Sequence, residues 1–424
     1  MRKIIASFLF VLSLSALSCT KGTQGMVITP PSTKPDTGGT TGGGSGSGSG
    51  GGGTTGSGGG STDTGTLCTD IGQTPIVLAY FTEYTETLPE VSLLTHINYA
   101  HGRFKNPKTG DGGIVITESD KAPIAKVVAL KSVNPKLKVC LMIGGWGGHA
   151  DGFSMMARDA SKRTLFCQSV KNLLDQHKLD GVDIDWEYPT QSADNETGCD
   201  PSDTQNFNLV LEELRATLGT SKIISFASKS DAKYVDWKTA MKYLDYVNVM
   251  TYDMGAAPDG HNSPLKRGNK FTHRSWEQSI EAHVNGGVAK NRMVMGCPFY
   301  GKAEKEPKTD ADKVFVDSKG KLGYSIKYKD IVPIVQNNSY MGVALKKKLH
   351  RVWDAQSMVP YLADDTGRNY LSYDDPESIA AKGYYVANNK LLGAMFWEYR
   401  GDTDNHDLLK ALTKALYGKE SVLK

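Results

Sequence analysis

Short apolar runs alternate with amphipathic helical patterns along the chain from Pro75 onward. Alternation of this kind is typical of βα units that build a parallel sheet. The apolar runs predict eight strands with the bounds Ile76–Phe81, His96–His101, Lys138–Ile143, Gly181–Trp186, Ile223–Ala227, Tyr246–Thr251, Met293–Pro298 and Leu392–Trp397. Predicted helices between and after them include Ser161–His177, Asp203–Leu218, Trp276–Asn285 and about His406 to Tyr417. The pattern predicts an α/β fold, one closed (β/α)8 barrel (a TIM barrel), with its chemistry at the C-terminal ends of the strands.

One connection in this pattern is too long for a βα loop. Strand seven ends near Pro298, whereas strand eight begins near Leu392. The intervening residues include strand-like pieces at Arg351–Trp353 and Tyr370–Tyr373. Loops of this length without structure of their own are uncommon in compact domains. We therefore expect a small α+β insertion over residues 303–372, with the barrel formed by residues 67–302 and 373–424.

The N-terminal residues have the composition of a targeting segment and a linker. Arg2 and Lys3 precede an apolar run that ends at Leu17, which predicts a secretory signal peptide over residues 1–18. Ala16-Leu17-Ser18-Cys19 resembles a bacterial lipobox, in which the chain is cut before a cysteine that becomes lipidated. Residues 19–66 then hold this attachment site and a flexible Gly/Ser/Thr linker, whose r.m.s. reach is roughly 30 Å.

This motif predicts a lipid-anchored protein of the bacterial cell envelope, held at the outer membrane on its periplasmic or surface side. Ala16 stands where lipoboxes usually have Leu, and ordinary signal peptidase would cut the same bond. A secreted protein is therefore the alternative interpretation.

Composition and charge restrict the class of partner. The 424 residues are 39% hydrophobic and 22% charged, which is globular composition, and the net charge is only +3. So small a charge gives no reason to expect a nucleic-acid partner and suits a neutral substrate. Five cysteines follow Cys19 at irregular spacing, so no disulfide framework is implied, and no metal-ligand spacing is visible among Cys and His. We expect a monomer with no metal and no cofactor.

The predicted fourth strand carries three carboxyls on one face. Side chains alternate along a strand, so Asp183, Asp185 and Glu187 share a face at spacings of roughly 6–7 Å. Carboxyls this close cannot all ionise cheaply, and a protonated one beside ionised ones is a ready general acid. A solvated acidic face and a divalent-metal site are alternative interpretations. The first is disfavoured because Glu187 falls at the C-terminal end of a barrel strand, where such barrels place their chemistry.

The spacing Asp-x-x-Asp-x-Asp-x-Glu, formed by Asp180, Asp183, Asp185 and Glu187, resembles the signature of the family 18 glycoside hydrolases, the chitinase family. The similarity extends from about Pro75 to Tyr417. Further matches lie at other strand ends: Tyr80, Ile143-Gly144-Gly145-Trp146, Met250-x-Tyr252-Asp253, Gly296-x-Pro298-Phe299-Tyr300-Gly301, the stretch from Tyr373 to Lys382, and Gly393-x-Met395-x-Trp397.

The resemblance implies a retaining chitinase that cleaves β-1,4 bonds between N-acetylglucosamine units, with the substrate's own acetamido group as nucleophile. It implies that Glu187 is the acid and base, that Asp185 orients the acetamido group, that Asp183 tunes Asp185, and that Tyr252 holds the acetamido oxygen. The residues it implies for substrate binding are Tyr80, Gly145, Trp146, Tyr188, Met250, Asp253 and Trp397. The same resemblance leaves two alternatives, an endo-β-N-acetylglucosaminidase acting on N-glycans and an inactive chitin-binding relative.

One position departs from the family pattern. Met142 stands where the family usually has a Ser that hydrogen-bonds the innermost acid. A thioether is a poor partner for a carboxyl, so we expect Asp183 to lack this bond and Tyr80 to carry more of its support.

Changing Cys19 to Ala should release or mislocalise the protein, because the substitution removes the predicted site of lipid attachment. Membrane fractionation of cells that express either form measures this. Mass spectrometry of the mature N-terminus that found an unmodified Cys19 would contradict the prediction.

Overall fold

The structure is a computed structural model that describes residues 74–82, 87–191, 199–271 and 273–423. The predicted signal peptide, Cys19 and the linker lie outside the described residues. Among the helices within these ranges, none is both long and apolar enough to cross a membrane.

The strands, in chain order, are β1 Ile76–Thr82, β2 His96–Phe104, β3 Ile114–Val115, β4 Lys138–Gly144, β5 Gly181–Asp185, β6 Ile223–Lys229, β7 Tyr246–Met250, β8 Met293–Pro298, β9 Tyr300–Ala303, β10 Ser325–Lys327, β11 Ser339–Tyr340, β12 Val343–Ala344, β13 His350–Asp354, β14 Val359–Ala363, β15 Asn369–Ser372 and β16 Gly393–Trp397. The helices are α1 Glu118–Ala129, α2 Phe153–Ala157, α3 Ala160–Gln176, α4 Asp203–Leu218, α5 Trp237–Ala240, α6 Trp276–Gly286, α7 Tyr328–Asn337, α8 Pro376–Asn388 and α9 Asp407–Tyr417.

Eight of these strands close into a parallel barrel. Their order is β1-β2-β4-β5-β6-β7-β8-β16, and β16 pairs in parallel with β1 to complete the ring. The predicted (β/α)8 barrel is thereby confirmed, and the predicted strand bounds agree with the observed ones to within three residues. The strands are apolar on both faces because one face packs against the helices and the other fills the barrel.

The barrel interior is packed rather than open. Side chains that include Leu78, Cys140, Met142, Val294 and Met395 form one buried cluster inside it. Polar side chains inside the barrel therefore need hydrogen-bond partners, whereas those at the C-terminal rim can contact solvent.

The long connection between β8 and β16 contains an antiparallel sheet of five strands in the order β10-β9-β15-β14-β13, together with α7. This sheet starts at Tyr300, because β9 pairs with both β10 and β15. The expected start of the insertion at residue 303 therefore falls at the end of its first strand.

A buried ion pair lies where this segment returns to the barrel. The Lys382 ammonium on α8 lies 2.6 and 2.7 Å from the two carboxylate oxygens of Asp374, which follows β15. The same ammonium donates to Ser263 Oγ at 2.9 Å and lies 5.3 Å from the centre of the Trp276 ring. Both partners are almost fully buried, at 0% and 1% side-chain exposure. Each charge is thus compensated only as long as the other is present.

Lys382→Met should cost about 3–5 kcal/mol of unfolding free energy, because it leaves the Asp374 carboxylate buried without its counter-charge. Denaturant unfolding measures the loss. Lys414→Met is the matched control: Lys414 is 62% exposed and its ion pair with Glu420 spans 3.6 Å, so its loss should cost less than about 1 kcal/mol. Equal effects of the two substitutions would contradict the assigned role.

Candidate active site

Strand β5 aims a column of three carboxyls at the C-terminal mouth of the barrel. Asp183 and Asp185 lie in β5 and Glu187 follows it, and their exposed fractions rise along the column from 0% to 4% to 9%. Asp185 and Glu187 line a cleft of about 810 Å³, whereas Asp183 lies beneath it. The predicted shared face is therefore present, and Glu187 is its outermost acid.

The innermost acid has three hydrogen-bond donors. The Tyr80 hydroxyl donates to Asp183 Oδ2 at 2.6 Å, and Ser225 Oγ and Asn248 Nδ2 donate to Oδ1 at 2.6 and 3.0 Å. Met142 lies opposite Asp183 in the β4–β5 register. The expected loss of support at this position is made good by Ser225 and Asn248.

Sequence reasoning missed these two donors. Ser225 pairs directly with Asp183 across β5 and β6, so a prediction of strand register would have identified it. Tyr80, which was expected to bind substrate, is only 2% exposed and does not line the cleft. Its hydroxyl is used by Asp183, so its place is under the site rather than on its surface.

Burial raises the pKa of all three carboxyls. The pKa of Asp183 rises from 3.8 to about 6, mainly through burial, while its hydrogen bonds oppose the rise. Burial and the charges of Glu187 and Asp183 hold the pKa of Asp185 well above its usual value. Burial, aided by the charge of Asp253, raises the pKa of Glu187 from 4.5 to about 7. At least one proton therefore stays on the column near neutral pH.

These shifts also determine a pH dependence of stability. A carboxyl whose pKa is higher in the folded protein binds more protons there than in the unfolded chain. Between about pH 4 and pH 7 the contribution of Asp183 and Glu187 to stability therefore falls as the pH rises.

The middle acid has one oxygen with an unmet hydrogen bond. Asp185 Oδ1 is buried and has no partner among the described residues. A buried acceptor of this kind is costly unless a ligand supplies the donor. Beside it, the backbone N–H of Gly145 donates to the Asp185 carbonyl at 2.7 Å. A Cβ on Gly144 would lie 2.1 Å from that carbonyl oxygen, so the glycine allows β4 to end against β5.

Two tyrosines flank the acids. Tyr188 hydrogen-bonds the Glu187 carboxyl, which lowers the pKa of that acid against the larger effect of burial. Tyr252 follows β7 and lines the cleft, and Gly296 leaves room for it, since a Cβ there would lie 2.8 Å from Tyr252 Cε1. Burial raises the pKa of the Tyr252 phenol above 10.0, so the hydroxyl remains a donor at any working pH.

The remaining predicted residues surround the opening. Trp146 is 54% exposed, and Trp397 is half-buried with its ring centre 5.6 Å from that of Tyr80. Asp253 is exposed, accepts a hydrogen bond from the Tyr300 hydroxyl at 2.8 Å, and lies 3.1 Å from Lys302 Nζ. The predicted residues that line the cleft are Gly145, Trp146, Asp185, Glu187, Tyr188, Met250, Tyr252, Asp253 and Trp397.

Several lining residues were not anticipated from the sequence. They include Thr82, His101, Lys229, Tyr300, Glu398 and Arg400. Thr82 and Lys229 lie where β1 and β6 run past the predicted strand ends, whereas His101 is the last residue of the predicted second strand. The Glu398 carboxylate accepts from Thr82 Oγ1 at 2.9 Å and from Arg400 Nε at 2.6 Å, so this acid is held by its neighbours. In the described ranges, no three His, Cys, Asp or Glu side chains are grouped as metal ligands.

Comparison with known proteins agrees with the barrel fold. Residues 76–402 match the sequence profile of the glycosyl hydrolases family 18, and the chain belongs to this family. It is 30% identical over 307 residues to Chitinase A1 of Niallia circulans, a match over 64% of this chain and 42% of that protein. It is 28% identical over 343 residues to Chitotriosidase-1 of Mus musculus, covering 75% of this chain and 70% of the relative.

A solved family 18 N-acetylglucosaminidase from Paenibacillus barengoltzii has a similar structure. The TM-score is 0.66 at 30% sequence identity, over 80% of this chain and 99% of that one. The chain thus spans less than half of Chitinase A1 and nearly the whole length of this solved relative.

Trp146→Ala should change the unfolding free energy by no more than about 0.5 kcal/mol, because the ring is a surface of the cleft rather than part of the core. Trp276→Ala, which empties a site of 0% exposure, should cost about 3–5 kcal/mol. Thermal and denaturant unfolding of both variants measures the difference. A large loss on Trp146→Ala would make it a core residue.

Proposed function

We propose that this protein hydrolyses β-1,4 bonds between N-acetylglucosamine units, with chitin or its oligomers as substrate. The observation that carries the proposal is the buried carboxyl column, which presents Glu187 to the cleft with its pKa raised to about 7. Membership of family 18 and the relatives named chitinases support the same substrate class.

Glu187 acts as general acid and then as general base. It is the outermost acid and reaches the glycosidic oxygen from the cleft wall. With a pKa of about 7 it enters the reaction protonated at neutral and mildly acidic pH. After the bond breaks, its carboxylate accepts a proton from the incoming water. Activity should therefore decline as the pH rises above about 7.

The nucleophile is the substrate's own 2-acetamido oxygen. Family 18 is an exception among retaining glycosidases, since it needs no separate carboxylate nucleophile. Asp185 Oδ1, a buried acceptor without a partner among the described residues, is suited to receive the acetamido N–H. The acetamido oxygen then attacks the anomeric carbon to give an oxazolinium ion while Glu187 protonates the leaving oxygen. The Tyr252 hydroxyl holds the acetamido oxygen in line.

Asp183 controls the charge of Asp185 from below. Its three donors favour its ionised form, and its charge raises the pKa of Asp185. The proton of the pair can thus shift as positive charge develops on the oxazolinium ion, which stabilises that ion. In the cleft above, Trp397 forms the floor under the sugar at the cleavage point and Trp146 stacks on its neighbour.

The two alternatives are less well supported. An inactive relative would lack the acid, whereas Glu187 is present. An endo-acting enzyme on N-glycans usually lacks the insertion, whereas Tyr300, Lys302 and Ser325 of this segment line the cleft. One solved relative is named an N-acetylglucosaminidase, so the size of the released products is part of the test.

We further propose that Cys19 carries a lipid and that the linker holds the barrel away from the membrane. The lipobox-like Ala16-Leu17-Ser18-Cys19 and the Gly/Ser/Thr tract after it support this anchoring. A secreted enzyme, cut at the same bond, is the alternative.

Glu187→Gln should lower the rate on chitin oligomers at least about a hundredfold, the usual value of a general acid, while oligomer binding and the fold are kept. Glu281→Gln, an exposed position on α6, is the matched control and should be active. Fully deacetylated oligomers should not be cleaved, and a thiazoline mimic of the oxazolinium ion should inhibit.

Near-full activity of Glu187→Gln would overturn the assignment of the acid. A covalent sugar adduct trapped on Asp253, a carboxylate that lines the cleft after β7, would overturn the substrate-assisted mechanism.

A further inference from the structure

A lysine with two tyrosines forms one wall of the cleft beside the proposed acid. The Lys229 ammonium lies 5.4 Å from the centre of the Tyr188 ring and 5.2 Å from that of Tyr234, and the two rings are stacked with centres 5.8 Å apart. Lys229 and Tyr188 both line the cleft. The mechanism described above uses neither Lys229 nor Tyr234.

The fold places Lys229 at the same rim as Glu187. Ile184 pairs with Phe226 across β5 and β6, and Glu187 and Lys229 each follow three residues later and line the cleft. Alternate residues share a face, so both side chains point inward at the rim. On its other side Lys229 pairs with Met250, which also lines the cleft.

The backbone around the lysine is firmly held. The Lys229 carbonyl accepts from the Ala232 N–H at 3.1 Å and from Ser228 Oγ at 3.2 Å. The Tyr234 carbonyl accepts from Thr204 Oγ1 at 3.0 Å. This wall of the cleft is therefore preorganised, which lowers the entropy cost of ligand binding.

The charge of Lys229 is only partly balanced. Among the described residues its nearest carboxylate is that of Asp231 at 3.7 Å, and Asp231 also lies 3.5 Å from Lys233. One carboxylate is thus shared between two ammonium groups. The Lys229 side chain is 32% exposed and retains donors for oxygen atoms in the cleft.

We propose that Lys229 is a specificity-determining residue that binds the oxygen atoms of the acetylated amino sugar on the leaving-group side of the cleavage point; this inference rests on the proposed function. Tyr188 follows Glu187 and hydrogen-bonds its carboxyl, so this wall flanks the acid on the β6 side. In the proposed mechanism, Asp185 and Trp397 hold the sugar whose bond is broken. The departing sugar therefore meets Lys229, whose ammonium donates to its acetamido carbonyl and hydroxyl oxygens.

The test compares two substrates that share their glycon half. N-acetylated chitotetraose places sugars on the leaving-group side, whereas the 4-nitrophenyl glycoside of N-acetylated chitobiose places only an aryl group there. Losing a hydrogen bond from a charged donor lowers affinity roughly tenfold. Lys229→Met should therefore lower kcat/KM on the tetraose about tenfold more than on the aryl glycoside, mainly through a higher KM. Lys229→Arg should recover part of the loss.

Lys233→Met is the matched control, since it removes the other ammonium that pairs with Asp231 but is 65% exposed and is not part of the cleft lining. It should leave the ratio between the two substrates unchanged. Equal losses on both substrates in Lys229→Met, or the same change of ratio in Lys233→Met, would overturn the inference while the proposed function stands. A wild-type protein that cleaves neither substrate would overturn both.

Discussion

Three carboxyls stacked inside a barrel cannot all be charged, and the rest of the site is arranged around this constraint. Asp183 is compensated by three hydrogen-bond donors, whereas Asp185 is left with an unpartnered oxygen. Glu187 ends the column at the cleft, where burial raises its pKa to about 7. In the proposed mechanism, this arrangement places a proton on Glu187, beside the leaving group, and a negative charge on the inner acids, near the oxazolinium ion. Burial that would be a cost to stability elsewhere is here the source of the acid's reactivity.

The barrel supports this arrangement of carboxyls because its strands are largely apolar on both faces and fix the position of each inward side chain along the barrel axis. Closure of the ring brings Trp397 of β16 next to Tyr80 of β1, under the same cleft as the acids. The inserted sheet adds Tyr300 and Lys302 to one wall and is tied to α8 by the buried pair of Lys382 and Asp374. The Lys382–Asp374 ion pair does not line the cleft, so it can be substituted without changing the carboxyl column directly.

The barrel strands could be predicted from the sequence because a strand buried on both faces is a short apolar run, which few other structural elements produce. The acidic face could be predicted because alternation is a local property. Contacts that depend on register between strands could not: Ser225 and Asn248 replace the expected Ser at position 142 as partners of Asp183. The hydrogen-bond partner of a side chain at a helix start could not be predicted either. Ser202 is the N-cap residue of α4, yet its hydroxyl donates to Asp200 Oδ1 at 2.6 Å and makes no capping hydrogen bond to the helix.

The buried column should keep Glu187 protonated near neutral pH. The most direct measurement is a ¹³C NMR titration of the Glu187 side-chain carboxyl in protein labelled at glutamate, assigned with Glu187→Gln. We expect a midpoint near pH 7, with a coupled second step as a neighbouring acid titrates. A single transition near the ordinary value of 4.5 would contradict it, because an acid already ionised at neutral pH could not protonate the leaving group.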